Sequence, residues 1–279
     1  EIEKSQVTDP RWNPLAADTL LAHWPMDAYL PGPVFPSRIP GTPELEGAAA
    51  WQPQMTRGRI HSALQLNGSW PELRIPASGR SLPSSGWSIV LWAQPFQATL
   101  PPNGTPLLEL GDADSHLSLR FMPGGFIRAV WRIDGKEKHL DGPVLPNLKW
   151  TQIGIVFDGD TLAFLQNGQV LERELNLEDE MPAINLVGTV GGAPAAQGFV
   201  GKLDDLRVYS IRMSNPQVSE AFGEVLEQIS WLSTGPGGGG WMQAVVSSPD
   251  QPNMLWAGGD ISGLFVSEDG GESWSMKPT

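Results

Sequence analysis

Apolar and polar residues alternate in short runs along most of this chain. In WSIVLWAQP (87–95), Trp87, Ile89 and Leu91 fall on one face of a strand and Ser88, Val90 and Trp92 on the other. Both faces are largely apolar, which suits a strand packed on both sides. ALQLNG (63–68), ELRIP (72–76), PLLELGD (106–112), HLSLRFM (116–122) and FIRAVWRI (126–133) alternate or run apolar in the same way. So do WTQIGIVFD (150–158), TLAFLQNG (161–168), VLEREL (170–175) and FVGKLDDLRVYS (199–210). The links between them carry Gly, Asn or Asp, and Asn167-Gly168 is the strongest hairpin signal. Short strands without intervening helices predict an all-β fold, a sandwich of two antiparallel sheets.

The flanks read differently. Residues 1–19 are polar and predict an extended lead-in, and LLAHWPMD (20–27) predicts a strand ending in a turn. The segment 30–50 holds five prolines and predicts irregular chain. NPQVSEAFGEVLEQIS (215–230) is the one helical stretch, capped by Ser214 or Asn215 with Pro216 at its start. TGPGGGG (234–240) breaks the composition, so 223–240 is expected to be helix end and linker. Three further strands, 241–247, 253–258 and 263–267, are expected in the tail, 241–279.

Composition sharpens this picture. Twelve Trp, 32 Gly and 26 Pro favour turns and aromatic anchors over long helices. The net charge of −13, with Lys and Arg scattered, argues against a nucleic-acid partner. The absence of Cys excludes disulfides, thiol chemistry and Cys-ligated zinc. No apolar run approaches the roughly 20 residues that span a bilayer, so membrane insertion is not expected. The first residue is Glu1 rather than Met, which suggests a processed or excised form.

Five signatures in order then give a resemblance. LLAHWPMD, GRIHSALQLNG (with Arg59 in place of an expected second glycine), WSIVLWAQP, KWTQIGIVFDGDTLAFLQNGQVLE and FVGKLDDLRVYSIRMSNPQVSEAF resemble the laminin-G-like, concanavalin A-like jelly-roll family over about residues 20–222. The octet SEDGGESW (267–274) resembles the S/T-x-D-x-G-x-x-W motif of Asp-box β-propellers, which include sialidase-like, sortilin-type and xyloglucanase-type proteins. Its defined positions are Ser267, Asp269, Gly271 and Trp274. That resemblance implies a partial propeller blade at the C-terminus, and a propeller needs about 4–8 blades to close. A lone blade therefore implies a fragment of a longer chain.

The jelly-roll resemblance further implies one structural Ca²⁺ near Asp27 and Asp204 or Asp205, between the opening strand and the closing Asp-Asp segment. The alternative is that Asp205 caps a turn or pairs with Arg207. Trp51, Trp70 and Trp131 are candidates for stacking on a glycan, being placed at loops or outer faces. Trp24, Trp87, Trp92 and Trp150 are expected in the core. His23, His61, His116 and His139 are scattered, and no nucleophile elbow or metal-spaced His pair occurs. LWAGGDISGLF resembles the xyloglucanase-type segment that carries a catalytic aspartate, which places Asp260 at that position. Glycoside hydrolysis requires a second carboxylate, so this chain by itself is not expected to be an enzyme.

The reading is a non-catalytic binding or adhesion module, with a glycan or protein ligand, of an exported protein at the cell surface, outside the cell or in the periplasm, with a bacterial origin suspected. One alternative is a carbohydrate-binding module joined to the start of a glycoside hydrolase's catalytic propeller. Another is a structural subunit of a surface assembly. The tail's partner would be further blades or another protein chain.

Overall fold

The computed structural model describes residues 19–228 and 242–277, apart from positions 50, 69–72, 97–99, 113–114, 134, 177–180, 193–197, 248–253, 260–262, 269 and 272. The chain divides into two compact units, Glu1–Ile229 and Ser230–Thr279. The lead-in before Thr19, the Gly-rich linker, Trp70, Asp260 and Asp269 lie outside the described residues.

The first unit is a jelly-roll sandwich of two eight-stranded antiparallel sheets. At the centre of the first sheet, Trp87–Pro95 pairs with Thr151–Phe157 on one side and Val200–Tyr209 on the other. Trp87, Ile89 and Leu91 enter the main core, while Val90 and Trp92 face outward into two smaller clusters. This strand is buried on both faces because a helix and loops cover the sheet's outer side. Gly154 is required here: a Cβ would stand 1.9 Å from the carbonyl oxygen of Ile89 on the neighbouring strand. The hairpin at Asn167-Gly168 has φ of 47° and 82°, the twist that a two-residue turn requires.

The second sheet places Ser115–Phe121 between Thr105–Gly111 and Phe126–Ile133, with Lys136–Val144 on the outer edge. KEKHLDGPV has no apolar face, so its sequence does not predict a strand. It is one because the open edge of Phe126–Ile133 supplies backbone partners. The segment 30–50 likewise contains two short paired strands, Val34–Phe35 and Leu45–Glu46, rather than wholly irregular chain.

The helix Asn215–Gln228 follows the last strand. Ser214 is its cap: the Gln217 Oε1 accepts from both the backbone N–H and the hydroxyl of Ser214, at 2.9 Å each. Val218 and Ala221 pack on the outer side of the first sheet, and Phe222 stacks on Trp92 with ring centres 5.5 Å apart.

The second unit is a four-stranded antiparallel sheet in sequence order: Met242–Ser247, Leu255–Gly259, Gly263–Ser267 and Ser275–Lys277. The fourth strand lies beyond the three that the apolar pattern predicts, since SMK is too short to show a period.

Candidate functional site

The strand Val200–Tyr209 changes its edge partner partway along. Its first half pairs with Ser62–Asn67 and its second half with Leu20–Trp24. The register shifts between Asp204 and Arg207, and Asp205 takes a left-handed φ of 51° there. Such a bulge re-aims side chains. It turns Asp204 and Asp205 toward the gap between the two edge strands, where the loop after Trp24 brings Asp27.

The three aspartates have different surroundings. Asp205 Oδ1 accepts from His23 Nε2 at 2.6 Å, and its Oδ2 lies 2.9 Å from Arg207 Nε. All three side chains are buried. Burial pushes the Asp205 carboxyl up, but Arg207 and His23 outweigh it and hold the group well below the usual carboxylate range. Burial lowers His23 to about 4 against the pull of Asp205, so its imidazole is neutral. Asp204 Oδ2 accepts the backbone N–H groups of Arg59 and Ile60 at 2.7 and 2.9 Å. Gly58 permits this closure, because a Cβ there would stand 2.6 Å from Asp204 Oδ2. Asp204 Oδ1 is buried with no hydrogen-bond partner among the described residues. Burial, with the charge of Asp205, pushes Asp204 up to about 8. Asp27 accepts from the Ser62 N–H at 3.3 Å and from Arg38 at 3.2 Å. Its burial outweighs the charges of His61 and Arg38, so it rises to about 6.

The sequence-derived Ca²⁺ set can be tested on this geometry. Asp204 fits a cation, since it is a buried carboxylate with an orphaned oxygen; Asp27 already pairs with Arg38, and among the described residues no group of three or more His, Cys, Asp or Glu is placed to hold a metal ion. Asp205 does not fit, because His23 and Arg207 occupy both its oxygens. Met26 and His61, beside this gap, also have positive φ, 58° and 44°. The left-handed position in GRIHSALQLNG is His61, not Arg59, which corrects the placement of the missing glycine. Arg59 instead lies over the Trp92 ring, 4.9 Å from its centre. The apolar period hides His23, Arg38 and His61; the charge pair two residues apart in DDLR was the visible signal for Arg207.

The aromatic candidates separate as well. Trp131 is 1 % exposed and points into the core, so it offers no face to a ligand. The strand alternation in FIRAVWRI puts it inward with Ile127 and Ala129. Trp51 is partly buried at the edge of the second sheet. It continues a line of rings, with Phe35 6.2 Å from Trp51 and Tyr29 5.8 Å from Phe35. Tyr29 is 41 % exposed.

In the second unit, Ser267 Oγ accepts the Gly271 N–H at 2.8 Å, and Trp274 Nε1 donates to the Gly271 carbonyl at 3.1 Å. Gly271 has φ 102°. The turn is thus closed locally by three of the four octet positions.

A laminin-G family model, described as the concanavalin A-like lectin/glucanases superfamily, matches residues 67–219. No curated protein matches the sequence. Among solved structures, domain 4 of AbnA, a GH43 extracellular arabinanase from Geobacillus stearothermophilus in complex with arabinotriose, is 21 % identical with a TM-score of 0.58, over 72 % of this chain and 97 % of that one. Trypanosoma rangeli sialidase in complex with the inhibitor DANA is 15 % identical with a TM-score of 0.55, over 73 % of this chain but 32 % of that one. At these identities the likeness is one of fold. Among the described residues no helix is long and apolar enough to cross a membrane.

Proposed function

The chain belongs to the concanavalin A-like lectin/glucanases superfamily, and from that premise we propose that its sandwich is a non-catalytic glycan-binding module of an exported, multidomain protein. The observation that carries this reading is the line Tyr29–Phe35–Trp51. It is an aromatic array at a sheet edge, anchored in the core at Phe35 and open at Tyr29. Rings held this way present an apolar face at low entropic cost, which suits a sugar's C–H face. The arabinanase domain, matched over 97 % of its length and solved in complex with arabinotriose, agrees with a saccharide ligand. The test is a glycan array with the whole chain, followed by titration of the best hits. Trp51→Ala and Tyr29→Ala should each weaken binding about tenfold, the scale of one lost aromatic contact of about 1.4 kcal/mol. Hydrolysis of a bound glycan by this chain would overturn the non-catalytic part.

A structural Ca²⁺ held by Asp27 and Asp204 belongs to the same proposal. It would neutralise two carboxylates that burial otherwise disfavours, and so fix the loop after the opening strand.

A second reading concerns the C-terminal sheet. Its four antiparallel strands and the Ser267–Gly271–Trp274 turn favour the first blade of an Asp-box propeller in a longer protein. In that case the parent reads as a glycoside hydrolase only if its sequence beyond Thr279 carries more octets and a second acidic residue to work with Asp260. Sequencing the parent gene decides it.

A further inference from the structure

At one end of the sandwich, two apolar side chains stand out of the core. Leu148 and Val144 are the most exposed large hydrophobics among the described residues of the first unit, at 62 % and 60 %. Val144 ends the outer strand of the second sheet, and Leu148 lies on the connection from there to Thr151–Phe157. Leu148 is also strained. It has φ 60° at the third position of a turn closed by the Lys149 N–H, which donates to the Pro146 carbonyl at 3.2 Å. That position suits Gly or Asn rather than a bulky side chain. Burial does not offset the strain, because the side chain is in water. The loop is pinned all the same. The Leu148 N–H donates to the Pro95 carbonyl at 2.9 Å, Gln94 Nε2 donates to the Leu148 carbonyl at 2.8 Å, and Gln166 Nε2 donates to the Val144 carbonyl at 3.1 Å.

Charge sets this end apart. The chain carries 31 Asp and Glu, yet the loops 96–104, 122–125 and 145–150 that close this end contain none. Their one ionised residue is Lys149. The carboxylates on the adjoining strands, Glu109 and Asp141, are neutralised by Arg120 and Arg128. Pro123 and Pro146 are exposed beside the two side chains, and half-buried Phe126 is directly opposite Val144. The far end of the same strands is acidic. Asp158 follows Phe157, the partner of Trp87, while Leu148 is bonded to Pro95 at the other end of that strand. The nine residues of Trp87–Pro95 separate the two ends by about 30 Å.

We propose that this acid-free end is a contact between two copies of the chain, with Leu148 and Val144 of one copy meeting the same patch of the other about a two-fold axis. Charge selects the occupant. A two-fold contact lays a patch on itself, so an acidic patch would oppose its own charge, and this one has no carboxylate to oppose. Joining the copies end to end also leaves the acidic ends about 60 Å apart, far beyond a Debye length of about 8 Å, so the net charge of −13 opposes the contact little. A pinned loop has already lost the entropy that docking would cost. A contact of so few side chains belongs to the weak class, with a Kd on the order of 0.1 mM.

The test is sedimentation equilibrium of the whole chain up to about 0.5 mM, with the melting temperature of each variant as control. The chain should pass from monomer to dimer across that range. Leu148→Asp and Val144→Asp should each weaken the dimer by roughly tenfold or more at an unchanged melting temperature, since each places a carboxylate against its own copy. Leu148→Gly should weaken it while raising the melting temperature, because the turn is relieved as the apolar contact is lost. Lys149→Ala should leave the dimer intact or tighten it, since the two lysines repel. A monomer throughout the range overturns the inference. So does a dimer that survives the double change Leu148→Asp with Val144→Asp, which would place the contact elsewhere, such as the open edge Met242–Ser247. Binding of a monomeric chain to phosphatidylserine vesicles, lost in Lys149→Ala, would overturn it in favour of a lipid surface.

Discussion

Asp205 holds two other buried groups in place, and its loss would be felt through them. Asp205→Asn leaves Arg207 and His23 facing an uncharged amide in a site closed to water. Breaking a buried pair in this way costs about 3–5 kcal/mol, to be read as a lowered denaturant midpoint. Asp204 acts in the opposite sense. Its folded value of about 8 stands above the ordinary 3.8, so the folded state keeps a proton that the unfolded chain releases. In chelator-treated protein this contribution is fully present below pH 3.8 and is lost as pH rises toward about 8. His23, lowered from 6.5 to about 4, opposes it in part: its contribution is lost as pH falls through that range. Asp204→Asn should flatten the alkaline loss in melts recorded against pH. Added Ca²⁺ should raise the melting temperature of the unmodified protein, most at high pH, and leave Asp204→Asn unmoved. A metal-independent melt at pH 8 would remove the cation from the proposal.

At the scale of elements, the helix Asn215–Gln228 turns a strand's outer face into core. Its start depends on Ser214 and Gln217, whose side-chain oxygen accepts from both the Ser214 N–H and its hydroxyl. Gln217→Ala should destabilise the first unit by about 1 kcal/mol, within the range for lost N-terminal caps, seen as faster amide exchange at Val218. The sequence marks this cap clearly, because capping chemistry is local. It marks Lys136–Val144 poorly, because an edge strand without an apolar face draws its order from a neighbour. The same dependence governs the handover along Val200–Tyr209, where two edge strands from distant parts of the chain meet one partner.

At the scale of the whole molecule, the two units differ in how much core each owns. The sandwich buries large side chains such as Trp24, Trp87 and Phe157 completely. The C-terminal sheet leaves Val245 and Val246 on one edge strand 63 % and 59 % exposed and Met276 on the other 60 % exposed. All-β units of about 40 residues lie near the lower limit of independent stability, and this one has no Cys to staple it. Residues 234–279 expressed alone should therefore show no cooperative β-sheet melt by circular dichroism and fast amide exchange throughout. A cooperative monomeric fold would contradict the fragment reading. Open edges of this kind also favour pairing with another strand.

The sequence by itself determined the all-β class, the two faces of Trp87–Pro95, the Asn167-Gly168 hairpin and the single helix. Each follows from a period or a turn residue acting over a few positions, and local steric and solvation preferences are written in neighbouring letters. That Asp27 lies near Asp204 and Asp205 was implied only by the family resemblance, not by any local pattern in the sequence. Only the tertiary structure decided what each aspartate does. A one-residue bulge at Asp205 sends one carboxylate to His23 and Arg207 and leaves the other with an idle oxygen. Trp131 and Arg132 were separated in the same manner: adjacent in sequence, they lie on opposite faces of one strand, and the packing of the two sheets decided which face became core.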